Sequence, residues 1–324
     1  MKRILGIGII ALFLSACSES SVPTVLHLES LGSIETHVDL AEVDEGTGAA
    51  TAAELYEILE NGYSDEIYGD YEEHTYRLPP YEAGHILVIM YHGIMEDSPS
   101  PLHRSPEDFR MDLQRLYDSG YRTMPIRDLV HNNITVPAGY SPIIITFDDS
   151  LPFAFSLIEQ YGELVPAPNT AVYIMLDFVA ENPDFGNYAV FFINGNPRPF
   201  SGAGTVADRL QFLVDNGFEI GNHTYSHAFL SRLGSTGIQR ELAKIEALVQ
   251  EAIPGYRIYT VAYPFGERPL MRYHGLILQG EYRGITYEHV LGLRAGYSAG
   301  QTAPNRIGFD PLNIPRIQGS HGHF

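Results

Sequence analysis

The chain has 324 residues, 44% of them hydrophobic, enough to bury one substantial core or two modest ones. A formal charge of -20, from 40 acidic against 20 basic residues, argues against nucleic acid and other phosphate-rich polymers as ligands. With a single cysteine, Cys17, an intramolecular disulfide is excluded.

The first residues are Met1-Lys2-Arg3, followed by an apolar run from Ile4 to Leu14 and then Ser15-Ala16-Cys17. The run is too short for a permanent membrane helix, and with its basic start it has the form of a signal peptide. A cysteine after Leu-Ser-Ala resembles the lipobox of bacterial lipoproteins. That resemblance implies a signal peptide over residues 1–16, a lipidated Cys17 as the new N-terminus, and a membrane-anchored lipoprotein outside the cytoplasm, in the cell envelope. Residues 17–83 read as an acidic linker or small N-terminal extension, with runs such as Asp70-Tyr71-Glu72-Glu73, one short helical pattern from Ala52 to Leu59, and a closing Leu78-Pro79-Pro80. A folded domain over residues 84–324 follows.

The domain begins with a buried strand, Ile86 to Tyr91, leading into His92-Gly93. An amphipathic helix is expected from Pro106 to Ser119, with Phe109, Leu113 and Leu116 on one stripe and Gly120 as its stop. Tyr121 to Met124 reads as a strand and Ile126 to Val130 as a helical turn. Ile143-Ile144-Ile145-Thr146-Phe147 is a strand apolar on both faces, as in a parallel sheet covered on each side, and Asp148-Asp149-Ser150 stands where it ends. Two adjacent carboxylates inside a packed core would be costly, whereas the carboxyl ends of parallel strands carry chemistry. Asp148-Asp149-Ser150 also reads as the N-cap of a following helix, expected from Phe153 to Tyr161.

Further on, Thr170 to Phe178 is mixed in pattern, Ala189 to Ile193 is a buried strand, and Val206 to Asp215 a helix closed by Asn216-Gly217. The Pro, Gly and Asn clusters Asn182 to Asn187 and Asn196 to Phe200 read as ordered loops near a cleft rim. Phe218 to Gly221 is a strand entering Asn222-His223-Thr224-Tyr225-Ser226-His227, and Ile238 to Ala252 a long amphipathic helix. Ile258 to Tyr263, His289 to Leu293 and Asn313 to Ile317 complete the strands. Alternation of strand and helix predicts a parallel α/β sheet or barrel.

His223 and His227 lie four apart, and a helix capped by Thr224 would set both imidazoles on one side of its first turn. Two histidines and a carboxylate with an open position make a catalytic, zinc-like site, since a structural site would be closed by four ligands. The spacing is equally that of two helix-surface side chains. The other histidines, His92 apart, read as surface residues.

Thr146-Phe147-Asp148-Asp149 with His223-Thr224-Tyr225-Ser226-His227 resembles the first two motifs of the polysaccharide deacetylases, the NodB-homology or carbohydrate esterase family 4 enzymes. The resemblance runs from about Ile86 to Pro269 and more weakly to Arg316. It implies an α/β fold, a distorted (β/α)7-type barrel with an acidic N-terminal extension, a divalent metal such as zinc (or cobalt or nickel), and hydrolysis of acetyl groups on a sugar polymer. In this family's roles Asp148 is the general base, and Asp149, His223 and His227 are the metal ligands. The third motif is matched by Ala262-Tyr263-Pro264-Phe265-Gly266, so Tyr263, Pro264 and Phe265 would form the cleft wall and help hold the oxyanion. The arginine that orients the base in the family is missing at Ala262, and Arg316 in Ile314-Pro315-Arg316-Ile317 is the substitute proposed. The later motifs have no clear match, and the chain contains no tryptophan. Some circularly permuted members that act on poly-N-acetylglucosamine carry their acid histidine in an early Tyr-His segment. Met90-Tyr91-His92-Gly93 resembles it, which makes His92 the general acid, with His321 and His323 as competitors, and calls for a carboxylate partner to hold its proton.

The resulting expectation is a monomeric, lipid-anchored N-deacetylase acting on an exopolysaccharide or peptidoglycan. An O-acetyl esterase on xylan-like polymers and a non-catalytic carbohydrate-binding protein on the same scaffold are the alternatives.

Overall fold

The computed structural model describes residues 85–319 apart from 98–99, 198, 296–300, 303 and 305–307. The expected signal peptide over residues 1–16, Cys17, the 17–83 stretch, His321 and His323 lie outside the described residues.

Strand β1 (His85–Tyr91) leads into helix α1 (Pro106–Asp118), strand β2 (Tyr121–Thr123), the single turn α2 (Ile126–Val130) and strand β3 (Ser141–Phe147). A hairpin of β4 (Ser156–Gln160) and β5 (Glu163–Pro166) precedes α3 (Ala171–Glu181), β6 (Val190–Ile193), the short β7 (Ser201–Gly202) and α4 (Val206–Asp215). Then come β8 (Glu219–Asn222), α5 (Ser235–Ala252), β9 (Thr260–Ala262) and the turn α6 (Gly275–Leu278). A second hairpin, β10 (Gln279–Tyr282) and β11 (Ile285–Glu288), is followed by β12 (Leu291–Ala295), β13 (Gln301–Thr302) and β14 (Ile314–Gln318).

Seven strands close into a ring in the order β1, β14, β12, β9, β8, β6, β3 and back to β1, with every neighbouring pair parallel. This is the expected (β/α)7-type barrel. Outside the ring, β2 extends β3 in parallel and β13 lies antiparallel on β1.

Side-chain alternation sorts the strands' apolar residues into two layers. Val88, Ile144, Phe192, Leu293 and Ile314 fill the barrel, while Ile89, Ile143, Ile145 and Phe191 pack outward against Phe109, Leu113, Leu210 and Ile245 of the helices. Both faces are therefore buried, which is why Ile143-Ile144-Ile145 shows no polar alternation. On β8 the filling is tight: a side chain at Gly221 would place its Cβ 2.3 Å from the Phe192 ring, so only glycine fits there.

The helices start where their caps are. Ser105 Oγ accepts from Asp108 N at 3.1 Å ahead of Pro106, and Thr205 and Asp208 form a reciprocal capping box on α4.

Four sequence expectations are corrected. The Phe153–Tyr161 stretch is not a helix: Ser156 to Gln160 pairs with Glu163 to Pro166 around Tyr161-Gly162, whose φ values of 56° and 85° are those of a tight hairpin turn. Asp148-Asp149-Ser150 consequently caps nothing. The mixed Thr170–Phe178 stretch is α3, with Thr170 Oγ1 accepting from Tyr173 N at 3.4 Å. The Asn182–Asn187 loop follows α3 and leads into the start of β6, so chain direction puts it at the end opposite the one where Asp148 emerges.

Candidate active site

Because the seven strands are parallel, the residues that follow their carboxyl ends share one rim. His92 follows β1, Asp148 and Asp149 follow β3, Asn194 follows β6, His223 to His227 follow β8, and Tyr263 to Phe265 follow β9.

Arg316 sits on β14, two residues after Ile314, on the face that looks into the barrel, and has 0% exposure. Its Nη1 and Nη2 donate to Asp148 Oδ1 and Oδ2, both at 2.7 Å, and Nη1 also reaches Thr146 Oγ1 at 3.1 Å. Thr146 Oγ1 in turn donates to Ile89 O at 2.9 Å, which ties the clamp to β1. A planar guanidinium meeting a carboxylate through two parallel bonds fixes orientation as well as charge. Burial alone would push the Asp148 carboxyl up, but the Arg316 charge, His223 and the two Arg316 hydrogen bonds outweigh it and hold the group below the usual carboxylate range. Asp148 is thus an oriented anion.

Asp149 is turned the other way by backbone. Asp149 and Ser150 have φ values of 71° and 46°, two consecutive non-glycine residues in the left-handed region, held by Asn194 N donating to Ser150 Oγ at 3.1 Å and Phe200 N to Ser150 O at 3.0 Å. Asp149 Oδ1 then faces His223 Nε2 and His227 Nε2, each at 3.2 Å. His223 Nδ1 lies 2.9 Å from Ala262 O, which can only accept, so Nδ1 holds a proton and in the neutral ring Nε2 presents its lone pair. Asp149 Oδ1 is buried with no hydrogen-bond partner. An oxygen and two imidazole nitrogens converging in this way repel one another unless protons or a cation stand between them, and among the described residues this is the only such donor set. Ligand atoms about 3.3 Å apart are what a tetrahedral ion with bonds of about 2.0 Å requires. The two 3.2 Å separations are close to that, and the donor types suit a divalent metal ion.

No helix presents the two histidines. Residues 223–229 form a loop, with φ values of 62° at Thr224 and 51° at His227. The loop is held by groups that the sequence reading did not pick out. Asn222 Oδ1 accepts from Thr224 N at 2.9 Å, Asn194 Nδ2 donates to His223 O and Thr224 O at 2.7 and 2.8 Å, and Glu241 Oε2 accepts from Ser226 N at 2.9 Å. The available signals were an asparagine at the end of β6 and another directly before His223.

The remaining candidates divide. Phe265 is 53% exposed, has φ 60°, and stacks on Phe229 with centroids 3.6 Å apart and on edge to His227 at 4.5 Å. Tyr263 and Pro264 are buried, and the Tyr263 hydroxyl donates to Leu312 O at 2.9 Å, so they support the wall while Phe265 alone presents a side chain to the cleft. Arg316, likewise buried, reaches Asp148 rather than the open cleft. His92 is largely buried with Nδ1 lacking a hydrogen-bond partner, and no carboxylate bonds to that nitrogen. Burial lowers its pKa, against an upward pull from the Asp148 and Asp149 charges. His289, read as a surface residue, is buried: its Nδ1 lies 2.8 Å from Ile277 O and its Nε2 3.4 Å from Asn222 Nδ2.

Fold and site together define a parallel α/β barrel with a histidine and carboxylate cluster that could hold a metal ion on the rim where its strands end. Residues 136–271 match the family model described as polysaccharide deacetylase, which takes in Asp148, Asp149, His223, His227 and Phe265 but neither His92 nor Arg316. A chitin deacetylase of Arthroderma benhamiae is 35% identical over 91 residues, a match spanning 28% of this chain and 23% of that protein. The structure of the Streptococcus pyogenes deacetylase PplD in complex with acetate superposes with a TM-score of 0.54 at 20% identity, over 72% of this chain and 92% of that one. The polysaccharide deacetylase BC0361 of Bacillus cereus gives 0.54 at 18% identity, over 74% and 66%. At these identities the two structures establish the shared fold.

Proposed function

We propose that the protein is a metal-dependent hydrolase that removes N-acetyl groups from a glucosamine-containing polysaccharide, an exopolysaccharide or peptidoglycan. The observation that carries the reading is the Asp148–Arg316 clamp beside the converging Asp149, His223 and His227 donors. The deacetylase family match, which takes in Asp148, Asp149, His223 and His227 but not Arg316, supports it.

Asp149, His223 and His227 would hold a divalent ion, zinc or in its place cobalt or nickel, which would supply Lewis acidity to an acetyl carbonyl oxygen and lower the pKa of an attacking water. Asp148, ionised and unable to rotate away from Arg316, takes the water's proton. Ala262 O holds His223 in the tautomer that offers Nε2. When the C–N bond breaks, the departing amine needs a proton. We assign His92 as the donor; burial lowers its pKa, and the Asp148 and Asp149 charges offset that shift only in part. Phe265, backed by Phe229, offers an apolar face to a sugar ring. In this reading Cys17 anchors a monomer to a membrane of the cell envelope, with residues 17–83 as its tether.

The test is acetate release from N-acetylglucosamine oligomers, peptidoglycan and acetylated xylan, each with zinc, cobalt or chelator, beside Asp148→Asn. Metal-dependent release from the N-acetyl substrates that is lost in the variant is expected. Release from xylan alone would instead make it an O-acetyl esterase, and sugar binding without release a carbohydrate-binding protein.

A further inference from the structure

A groove of 790 Å³ runs between the later turns of α5, the Arg257-Ile258 segment and the β10–β11 hairpin, and none of the rim residues described above lines it. By chain direction it lies away from the catalytic rim, because α5 leaves β8 at that rim and returns toward the start of β9. Carboxylates outnumber cations along it. Glu246, Glu281 and Glu288 stand against Arg257, which is already paired with Glu288 at 2.9 Å.

Glu246 is the unusual member. It is 8% exposed, its Oε1 accepts from Gln250 Nε2 at 3.1 Å, and its Oε2 has no hydrogen-bond partner. A buried carboxylate oxygen without a donor is destabilising, because it has given up its hydrogen bonds to water with nothing in exchange. Packing gives no return for it here, since Gln250 spends its other hydrogen bonds on Gly255 N and Tyr256 O. The three glutamates do not converge on one point as the rim ligands do, so a single metal ion is not what the groove is shaped for. Carboxylates spaced along an open groove suit an extended ligand with several cationic donors.

We propose that this groove binds amine-bearing glucosamine oligosaccharide, the deacetylated stretch of polymer, with Glu246 and Glu281 as its amine acceptors. The inference rests on the proposed reaction, because hydrolysis of each acetamide turns a neutral group into an amine that takes up a proton. The same chemistry makes the groove selective: an N-acetylated stretch carries no cation and finds no partner for the spare charge. A hold on the product distant from the rim would keep the enzyme on a polymer it has begun to modify.

The experiment is calorimetric titration of the purified metal-loaded protein with glucosamine tetramer and, separately, of its Asp148→Asn variant, which should not turn substrate over, with glucosamine tetramer and with N-acetylglucosamine tetramer, at low and high salt. Binding to the groove predicts salt-sensitive affinity for the glucosamine tetramer that falls about tenfold in Glu281→Gln, which is exposed and should not disturb folding, and further in Glu246→Gln. The Phe265→Ala variant, altered only at the rim, should keep that affinity. Unchanged affinity in both glutamate variants, equal affinity for the two tetramers, or loss in Phe265→Ala would overturn the assignment. Acetate release is measured on the same samples, so failure of the groove with release intact is distinguished from failure of the deacetylase reading itself.

Discussion

Replacing Arg316 by methionine keeps an unbranched apolar stem and removes the guanidinium with its charge and five donors. The Asp148 carboxylate would then be left with 4% side-chain exposure and without its two 2.7 Å bonds. At an effective dielectric of 20, two charges about 4 Å apart interact by about 4 kcal/mol. Breaking a buried pair from one side costs about 3–5 kcal/mol, because the surviving charge is uncompensated. Urea denaturation should therefore show Arg316→Met destabilised by about that amount. In an Asp148→Asn background, where no charge is stranded, the same substitution should cost at least about 2 kcal/mol less. Deacetylation by Arg316→Met should fall by about 10² or more, since a base free to rotate loses its geometry. Equal destabilisation in both backgrounds would refute the reasoning, and so would a variant that keeps full activity.

On the proposed metal reading, His227→Ala should leave a folded protein that retains less added zinc after dialysis than the parent, read by elemental analysis, with activity returning only at high added metal. Asn194→Ala should release the His223-Thr224 carbonyls and weaken metal affinity by about 10–100-fold while thermal stability falls by only a few degrees; unchanged affinity would show that the loop holds itself. Stability should also depend on His289, whose folded pKa burial lowers from 6.5 to about 4. Between those values the unfolded chain binds the proton and the folded one does not, so stability is full above about pH 6.5, declines as pH drops through the window, and levels off below about pH 4. The decline is about 3 kcal/mol at 1.36 kcal/mol per unit, and His289→Gln should flatten that part of a pH series of unfolding midpoints.

Much of the fold was legible because its signals are local. Ile143-Ile144-Ile145 is apolar on both faces because helices cover one and the barrel interior the other, and Ser105-Pro106 and Thr205 mark helix starts with their own side chains. Where the reading failed, local pattern was ambiguous. The apolar residues from Phe153 to Tyr161 fit a helix until pairing with Glu163–Pro166 is known, and that pairing depends on a turn at Tyr161-Gly162 whose left-handed backbone no periodicity reveals.

The site divides in the same way. Asp148, Asp149, His223 and His227 stood out because chemically demanding residues fall directly after strands, and order along the chain already implies a common rim. The sequence could not show that His223 and His227 ride on a loop rather than a helix, since spacing four apart is compatible with both. It also could not set the 168-residue link from Asp148 to Arg316, which exists because β14 closes the ring beside β1 and turns Arg316 inward at the height of Asp148. The sequence by itself determined the chemistry available to this protein: the residue types, their places at strand ends, and an acidic chain suited to neutral or cationic partners. Only the tertiary structure decided which of those groups meet, because ring closure is a non-local pairing that brings together residues no sequence window contains.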